Sequence, residues 1–378
     1  MKIYADQNIL ALESNFSRYG ELHLFDGRSV ESSDLIEADA LLVRSTTQVN
    51  ESLLAGSNIR FVGTATSGVD HIDANYLRQT GIGFADAKGS NANAVVDYCF
   101  SALACAAIDR GFSLSDSSVG IVGAGAVGGL FASKLEKLGI EVRCCDPFLA
   151  NRGIGARDYF SLPSVLACDV ISLHVPLSSI APHPTANLLG PDELSQLVNG
   201  AVLINACRGG VVDEAALKML LSQRSDLFTV FDVWAGEPAI DPVLVEAVDF
   251  ATPHIAGYSV EAKSNATRIL AQAFEAHFEL NIDAKPQLAA DSIDPISLES
   301  EADALATWKT LLKAFPLHGI SEKFKQAERE GRGATAFDSL RAALLQRREF
   351  ESVRLVKSSY TLAQQKQLSI LGFSFDTP

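Results

Sequence analysis

The chain lacks several things, and each lack removes a class of function. Its 378 residues contain no stretch approaching 18 uninterrupted apolar residues, so no spanning helix is expected. The first residues, "MKIYADQNIL", carry no long apolar run of the kind a secretory signal needs. There is no Lys/Arg-rich run, and 46 acidic residues outnumber 31 basic ones, a formal net charge of −15. A nucleic-acid or anionic-membrane partner is therefore not expected. A small anionic substrate remains possible, because a few local arginines suffice to hold one. The six cysteines form no CxxC pair and lie mostly in apolar runs. They read as buried free thiols in a reducing compartment, which points to the cytoplasm, and no metal site is expected. No internal repeat or low-complexity tract is present.

What is there alternates. Short apolar runs at 2–6, 22–26, 40–44, 60–66 and 83–87 are separated by helix-like segments. A long small-residue helix is predicted over 91–111. Further strands are expected at 141–146, 169–175, 200–206, 227–234 and 249–254, and an amphipathic helix over 260–281. Strands alternating with helices read as parallel α/β sheets, here two of them. The polar, proline-containing stretch "IDAKPQLAADSIDP" reads as a linker, and a third segment of mixed pattern runs from about 296 to the end.

The segment "VGIVGAGAVG" places Gly123, Gly125 and Gly128 after a strand and at the opening of a helix. A lone glycine triplet is weak evidence; this context makes it a dinucleotide fingerprint. Gly123 permits the tight turn, Gly125 the approach of a pyrophosphate, and Gly128 the packing of helix on strand. Ala126 and Val127 lie at the helix N-terminus, whose unpaired N–H groups favour phosphate. Asp146 ends "EVRCCD" at the expected distance for a carboxylate on a ribose hydroxyl. It would repel a 2′-phosphate, so NAD is favoured over NADP.

Three ionisable residues follow strands of this second sheet: Arg208 after "GAVLINAC", Glu237 after "LFTVFDVWAG" and His254 after "DFATP". Ligands in open α/β sheets bind outside the carboxyl ends of strands. Oxidation of a 2-hydroxy acid needs a base for the hydroxyl proton, a cation for the carboxylate and an acid to orient the base. His254, Arg208 and Glu237 supply these in turn. Each has a plainer alternative as a structural histidine, a surface arginine or a turn acid; the three together beside the fingerprint favour chemistry. His174, also at a strand end, reads as structural or cofactor-side. Arg44 with Ser45, Thr46 and Thr47 forms a compact cluster suited to an anion. The same "RSTT" could instead cap a helix. Arg347 and Arg348 could reach a phosphate from a partner subunit, or simply end a solvated helix.

The ordered segments "VGIVGAGAVG", "CDP", "SLHVPL", "LINACRGGVVDEAAL", "FDVWAGEP" and "TPHIAGYS" resemble the D-isomer-specific 2-hydroxyacid dehydrogenase family. The resemblance implies two Rossmann-like parallel-sheet domains, with the active site in the cleft between them. These are a flavodoxin-like substrate domain (1–100, completed by 256–285) and an NAD-binding domain (101–255). It also implies Arg208, Glu237 and His254 as catalytic residues. Four further segments, "MKIYADQNI", "LLVRSTTQVNESLL", "HIAGYSVEAK" and "FDSLRAALLQRREF", narrow it to the branch that oxidises 4-phospho-D-erythronate at C2 in pyridoxal phosphate synthesis. That branch implies a smaller α+β C-terminal dimerisation domain (286–378) and a homodimer. By position it also implies substrate contacts at Ser45, Thr66 and Tyr258. NAD contacts are implied at Asp146, Asp232, Gly257 and the Ala206–Cys207–Arg208 backbone. Val175 stands where relatives usually have Thr, so any cofactor contact there would be through backbone or packing. Two other readings stay open: a dehydrogenase for a different 2-hydroxy acid, such as phosphoglycerate or glycerate, and an NAD(H)-sensing dimeric regulator.

Overall fold

The computed structural model describes residues 1–152, 157–280, 296–298, 305–344 and 346–376. The early apolar runs form five strands: β1 (Lys2–Asp6), β2 (Glu21–Phe25), β3 (Ala40–Val43), β4 (Phe61–Thr64) and β5 (Gly83–Asp86). All pair in parallel, in the order β2-β1-β3-β4-β5. β3 and β4 are buried throughout, as expected of parallel strands covered on both faces. The helix Val260–His277 covers one face, packing Leu270, Ala271 and Phe274 against Ile3, Ala5, Leu42 and Phe61. The strand order reverses between β1 and β3, and Asp6 and Arg44 lie at their carboxyl ends.

The second sheet contains β6 (Ser118–Val122), β7 (Glu141–Cys145), β8 (Val170–Leu173), β9 (Val202–Asn205), β10 (Phe228–Phe231) and β11 (Phe250–Ala251). Its order is β11-β10-β9-β8-β6-β7, again all parallel. The order reverses at β6, and the glycine turn follows that strand, at the crevice where such sheets bind ligands. The strands are shorter than the apolar runs that announce them. The run 227–234 yields only Phe228–Phe231, because the chain leaves the sheet at Asp232 to serve a loop described below.

The helix Ala92–Arg110 is long and apolar enough to cross a membrane by composition alone. It is buried along residues 94–107 within the protein and acts as a core helix. Against it and the helix Ala126–Lys137 packs the C-terminal segment. Phe315, Leu317, Phe350, Leu355, Leu368 and Phe373 share one apolar core with Tyr98, Phe100, Val119 and Phe131. Three short parallel strands, β12 (Ile296–Leu298), β13 (Val353–Leu355) and β14 (Ser374–Phe375), pair within that segment. The chain accordingly forms two compact units, residues 1–91 with 260–294 and residues 92–259 with 295–378. The expected linker over 282–295 lies outside the described residues.

Candidate active site

The glycine turn opens the helix Ala126–Lys137, with Gly125 as its N-cap. No side chain caps this helix, and its first turn holds no acid. Gly123 has φ +88°, and a Cβ on Gly128 would stand 1.9 Å from the Gly123 carbonyl oxygen, so neither position accepts a side chain without moving the backbone. Nothing lies within 4 Å of the place a Gly125 Cβ would take. The result is an open helix N-terminus with unsatisfied donors, which suits a pyrophosphate. Asp146 is fixed beside it: Ala124 N donates to Oδ2 at 3.0 Å and Leu149 N to Oδ1 at 3.1 Å. Each oxygen keeps a lone pair for a ribose hydroxyl. Val175 packs on the turn, its Cγ1 being 2.8 Å from where a Gly123 Cβ would be. These residues fit an NAD molecule.

Arg208, Glu237 and His254 follow β9, β10 and β11, three neighbouring strands, so all three reach the carboxyl edge of one sheet. His254 Nδ1 and Glu237 Oε2 are 2.7 Å apart, both side chains partly exposed. The other Glu237 oxygen accepts from Trp234 N at 2.9 Å. A carboxylate only accepts, so the proton of the bond sits on Nδ1. In the neutral imidazole Nε2 then carries the lone pair.

The loop carrying His254 is held from beneath. His254 has φ +54°, a left-handed conformation uncommon outside glycine. Its N–H donates to the Asp232 carbonyl at 2.7 Å. The fully buried Asp232 carboxylate accepts from Ile255 N, Ala256 N and Thr252 Oγ1 at 2.8, 2.8 and 2.7 Å. Thr252 Oγ1 spends its proton there, so the Tyr98 hydroxyl, 2.7 Å away, donates to it. Burial pushes the Asp232 carboxyl up to about 6, and these donors pull against that shift. Gly257 lies in the turn that follows.

Arg208 turns one Nη1–H back to its own neighbour, the Cys207 carbonyl, at 2.7 Å. The loop after it touches the loop of Glu237: a Cβ on Gly209 would stand 2.0 Å from the Trp234 carbonyl oxygen. Glu214 reinforces the contact by accepting from Ala235 N at 2.6 Å. The structure thus pairs Glu237 directly with His254 and sets Arg208 beside the same loops. Cys207, next to Arg208, is buried, its thiol pushed up to about 11 by burial. His174 is also buried, bonded to Ser172 Oγ at 2.9 Å, and burial lowers its pKa to about 4. That suits the structural reading of this residue.

In the first unit, Arg44 Nε donates to the buried Asp6 carboxylate at 2.9 Å. Ser45 is exposed. The Thr46 hydroxyl is buried and has no hydrogen-bond partner among the described residues. Thr47 Oγ1 donates to the Gly27 carbonyl at 2.8 Å. The cluster does not cap a helix; the next helix, Glu51–Leu54, is capped by Asn50. Thr66 Oγ1 donates to the Gly68 carbonyl and lies 2.7 Å from Thr64 Oγ1, which in turn meets His71 Nε2 at 2.9 Å. Tyr258 receives a bond on Oη from Arg341 Nη2 at 2.9 Å. Arg347, weighed above as a solvated helix end, is buried and donates to backbone carbonyls. Neither Arg347 nor Asp6 carries a sequence signal of this role, which arises only from tertiary packing.

Residues 105–256 match the family described as D-isomer specific 2-hydroxyacid dehydrogenase, NAD binding domain. An erythronate-4-phosphate dehydrogenase of Salmonella paratyphi A is 42% identical over 377 residues, covering 99% of this chain and 98% of its own. The enzyme of the same name from Escherichia coli O127:H6 is 41% identical over 381 residues, with the same coverage. Among solved structures, a 3-phosphoglycerate dehydrogenase of Entamoeba histolytica with bound NAD+ superposes with a TM-score of 0.61 at 24% identity, covering 73% of this chain and 94% of that one. A D-lactate dehydrogenase of Aquifex aeolicus, complexed with NAD and lactic acid, gives 0.59 at 22% identity, covering 74% and 96%. These two share the fold. With relatives of such identity along 99% of its length, the chain belongs to the erythronate-4-phosphate dehydrogenase family, within the D-isomer-specific 2-hydroxyacid dehydrogenases.

Proposed function

We propose that the chain oxidises 4-phospho-D-erythronate at C2, giving 3-hydroxy-2-oxo-4-phosphobutanoate, as a step in the synthesis of pyridoxal phosphate. NAD, when bound, supplies the hydride acceptor. The residues do the rest. His254 Nε2 takes the hydroxyl proton. Glu237, 2.7 Å from Nδ1, keeps that tautomer in place and faces the positive charge that then forms on the ring. Arg208 holds the substrate carboxylate and stabilises the oxygen as it becomes a carbonyl. Asp146, Val175, Ala206, Cys207, Asp232, Gly257 and the Gly123–Gly128 turn are the proposed cofactor contacts. Asp232 contributes by fixing the loop of His254, since its carboxylate is enclosed by that loop. Arg44, Ser45, Thr66 and Tyr258 are the proposed substrate contacts. The orphan hydroxyl of Thr46 supports an anion at the Arg44–Thr47 turn. The C-terminal segment is proposed to mediate a homodimer, and six free cysteines support a cytoplasmic setting.

The His254–Glu237 pair at the strand ends carries this reading. The test is NADH formation from NAD with 4-phospho-D-erythronate, D-erythronate and 3-phosphoglycerate at matched concentrations. The phosphorylated four-carbon acid should give the highest kcat/KM. Preference for an unphosphorylated acid would remove the phosphate from the reading, and no NADH with any hydroxy acid would favour a sensor. His254→Ala should stay folded and lose turnover; near-normal activity in that variant would sink the mechanism.

A further inference from the structure

The chain passes from one compact unit to the other after residue 91 and back again after residue 259. The second-unit sides of both passages meet one buried cation. Arg347 is 7% exposed. Its Nη1 donates to the carbonyls of Ala256 and Tyr258, each at 2.9 Å, and its Nη2 to the carbonyl of Ala94 at 2.8 Å. The guanidinium carbon lies 3.8 Å from the centre of the Phe315 ring. Two residues on, Glu349 Oε1 accepts from Ser259 Oγ at 2.7 Å. Arg341 bonds the Tyr258 hydroxyl and lies 4.8 Å over its ring. One short stretch, Arg341 to Glu349, therefore grips the turn at residues 256, 258 and 259.

Ala256 and Tyr258 lie in irregular backbone, where no helix or strand supplies partners for their carbonyls. Buried carbonyls need donors, and Arg347 is the donor. A buried guanidinium is costly unless its N–H groups are bonded, and the planar fork matches several acceptors at once. Ala256 is thus held at both ends, its N–H by Asp232 and its carbonyl by Arg347. His254 stands two residues earlier, in a left-handed conformation that must be maintained by what surrounds it.

We propose that Arg347, with Glu349, is a positioning residue for the oxidation: it fixes the turn from His254 to Ser259, so the C-terminal segment takes part in the chemistry and not in packing alone. This rests on the reading above only in taking His254 as the base. Arg347 touches neither substrate nor cofactor in this role. A lysine would keep the charge but present a single point of donation, so it cannot span three carbonyls.

The test uses the full-length protein as Arg347→Lys, Arg347→Ala and Ser259→Ala. A displacement of about 1 Å at a reacting group costs about 100-fold, so Arg347→Lys should lower kcat by about that factor. The Kd for NADH, set mainly at the Gly123–Gly128 turn and Asp146 with only Gly257 inside the clamped turn, should change far less than kcat. Guanidinium ion added to Arg347→Ala should restore part of the lost kcat, and sodium at the same concentration should not. Ser259→Ala, which removes one donor from the buried Glu349, should lower both kcat and Tm less than Arg347→Ala does. Wild-type kcat in Arg347→Lys would overturn the proposal. So would a parallel loss of kcat, NADH binding and Tm without recovery by guanidinium, which marks a purely structural residue. If Arg347→Ala does not fold, the other two variants decide. Amide exchange at Ile255–Gly257 reads the clamp without turnover: faster exchange in Arg347→Lys supports it, unchanged exchange overturns it. Inactivity of the wild type on 4-phospho-D-erythronate would strike the functional reading and leave that measurement intact.

Discussion

Glu237 spends its two oxygens on two different donors, Trp234 N and His254 Nδ1. Replacing it by glutamine leaves one accepting oxygen for two N–H groups. Either the Trp234 bond breaks or the imidazole moves its proton to Nε2 and ceases to be a base. Glu237→Gln should therefore lower kcat by about 100-fold or more, with little change in the Kd for NADH; stopped-flow turnover and a fluorescence titration would check both. Unchanged kcat would mean that Glu237 is only a turn acid. Arg208, Glu237 and His254 are legible in the sequence because each follows an apolar strand run and sits in a motif of fixed spacing. Arg347 is not. Its neighbours "LQRREFE" look like an exposed helix end, and its burial comes from Phe315 and from carbonyls 89, 91 and 253 positions away in the chain.

Strands and helices follow from apolar periodicity; the loops that join them do not. The run 227–234 reads as one strand, yet Asp232 leaves the sheet because its carboxylate satisfies three donors of the 252–256 loop. Apolar periodicity contains nothing about that exchange. The "RSTT" segment shows the same limit: hydroxyls before a helix resemble a cap, but the cap is Asn50, and Thr46 is left with an unsatisfied hydroxyl. The two loops after β9 and β10 touch through Gly209, where a methyl group would meet the Trp234 carbonyl at 2.0 Å. Gly209→Ala must push the loops apart. It should cost about 1–3 kcal/mol in urea unfolding and lower kcat as well, because the same shift separates Arg208 from Glu237. Wild-type stability in that variant would show that the loops part freely.

The alternation of strands and helices announced two parallel sheets, and both are present. How the C-terminal segment joins the second sheet was not legible, because its contacts with the helix Ala92–Arg110 run between residues far apart in the chain. One of these contacts gives the protein a pH dependence. Asp97, 1% exposed, accepts from Phe350 N at 2.8 Å. Burial raises its carboxyl from the ordinary 3.8 to about 8, with the Arg347 and Lys134 cations pulling against the shift. Between these values the folded chain binds a proton that the unfolded chain has released, so this group's contribution to stability is present at low pH and is lost as pH rises through about 8. Asp97→Asn keeps an accepting oxygen and removes the titration. Its Tm should gain on that of the wild type as pH goes from about 5 to about 9, measured by circular dichroism; a constant difference would show that Asp97 is ionised throughout.

The helix Val260–His277 covers a sheet made by the first 86 residues. During synthesis those strands leave the ribosome long before their cover does. Until residue 277 has been made, Ile3, Leu42 and Phe61 share that face only with Leu12, Phe16 and Tyr19 and lack Leu270, Ala271 and Phe274, and the chain in between has already begun a sheet of its own. The earlier-translated of the two units is thus completed late, and for that interval the nascent protein presents a half-covered apolar face to whatever waits at the tunnel exit.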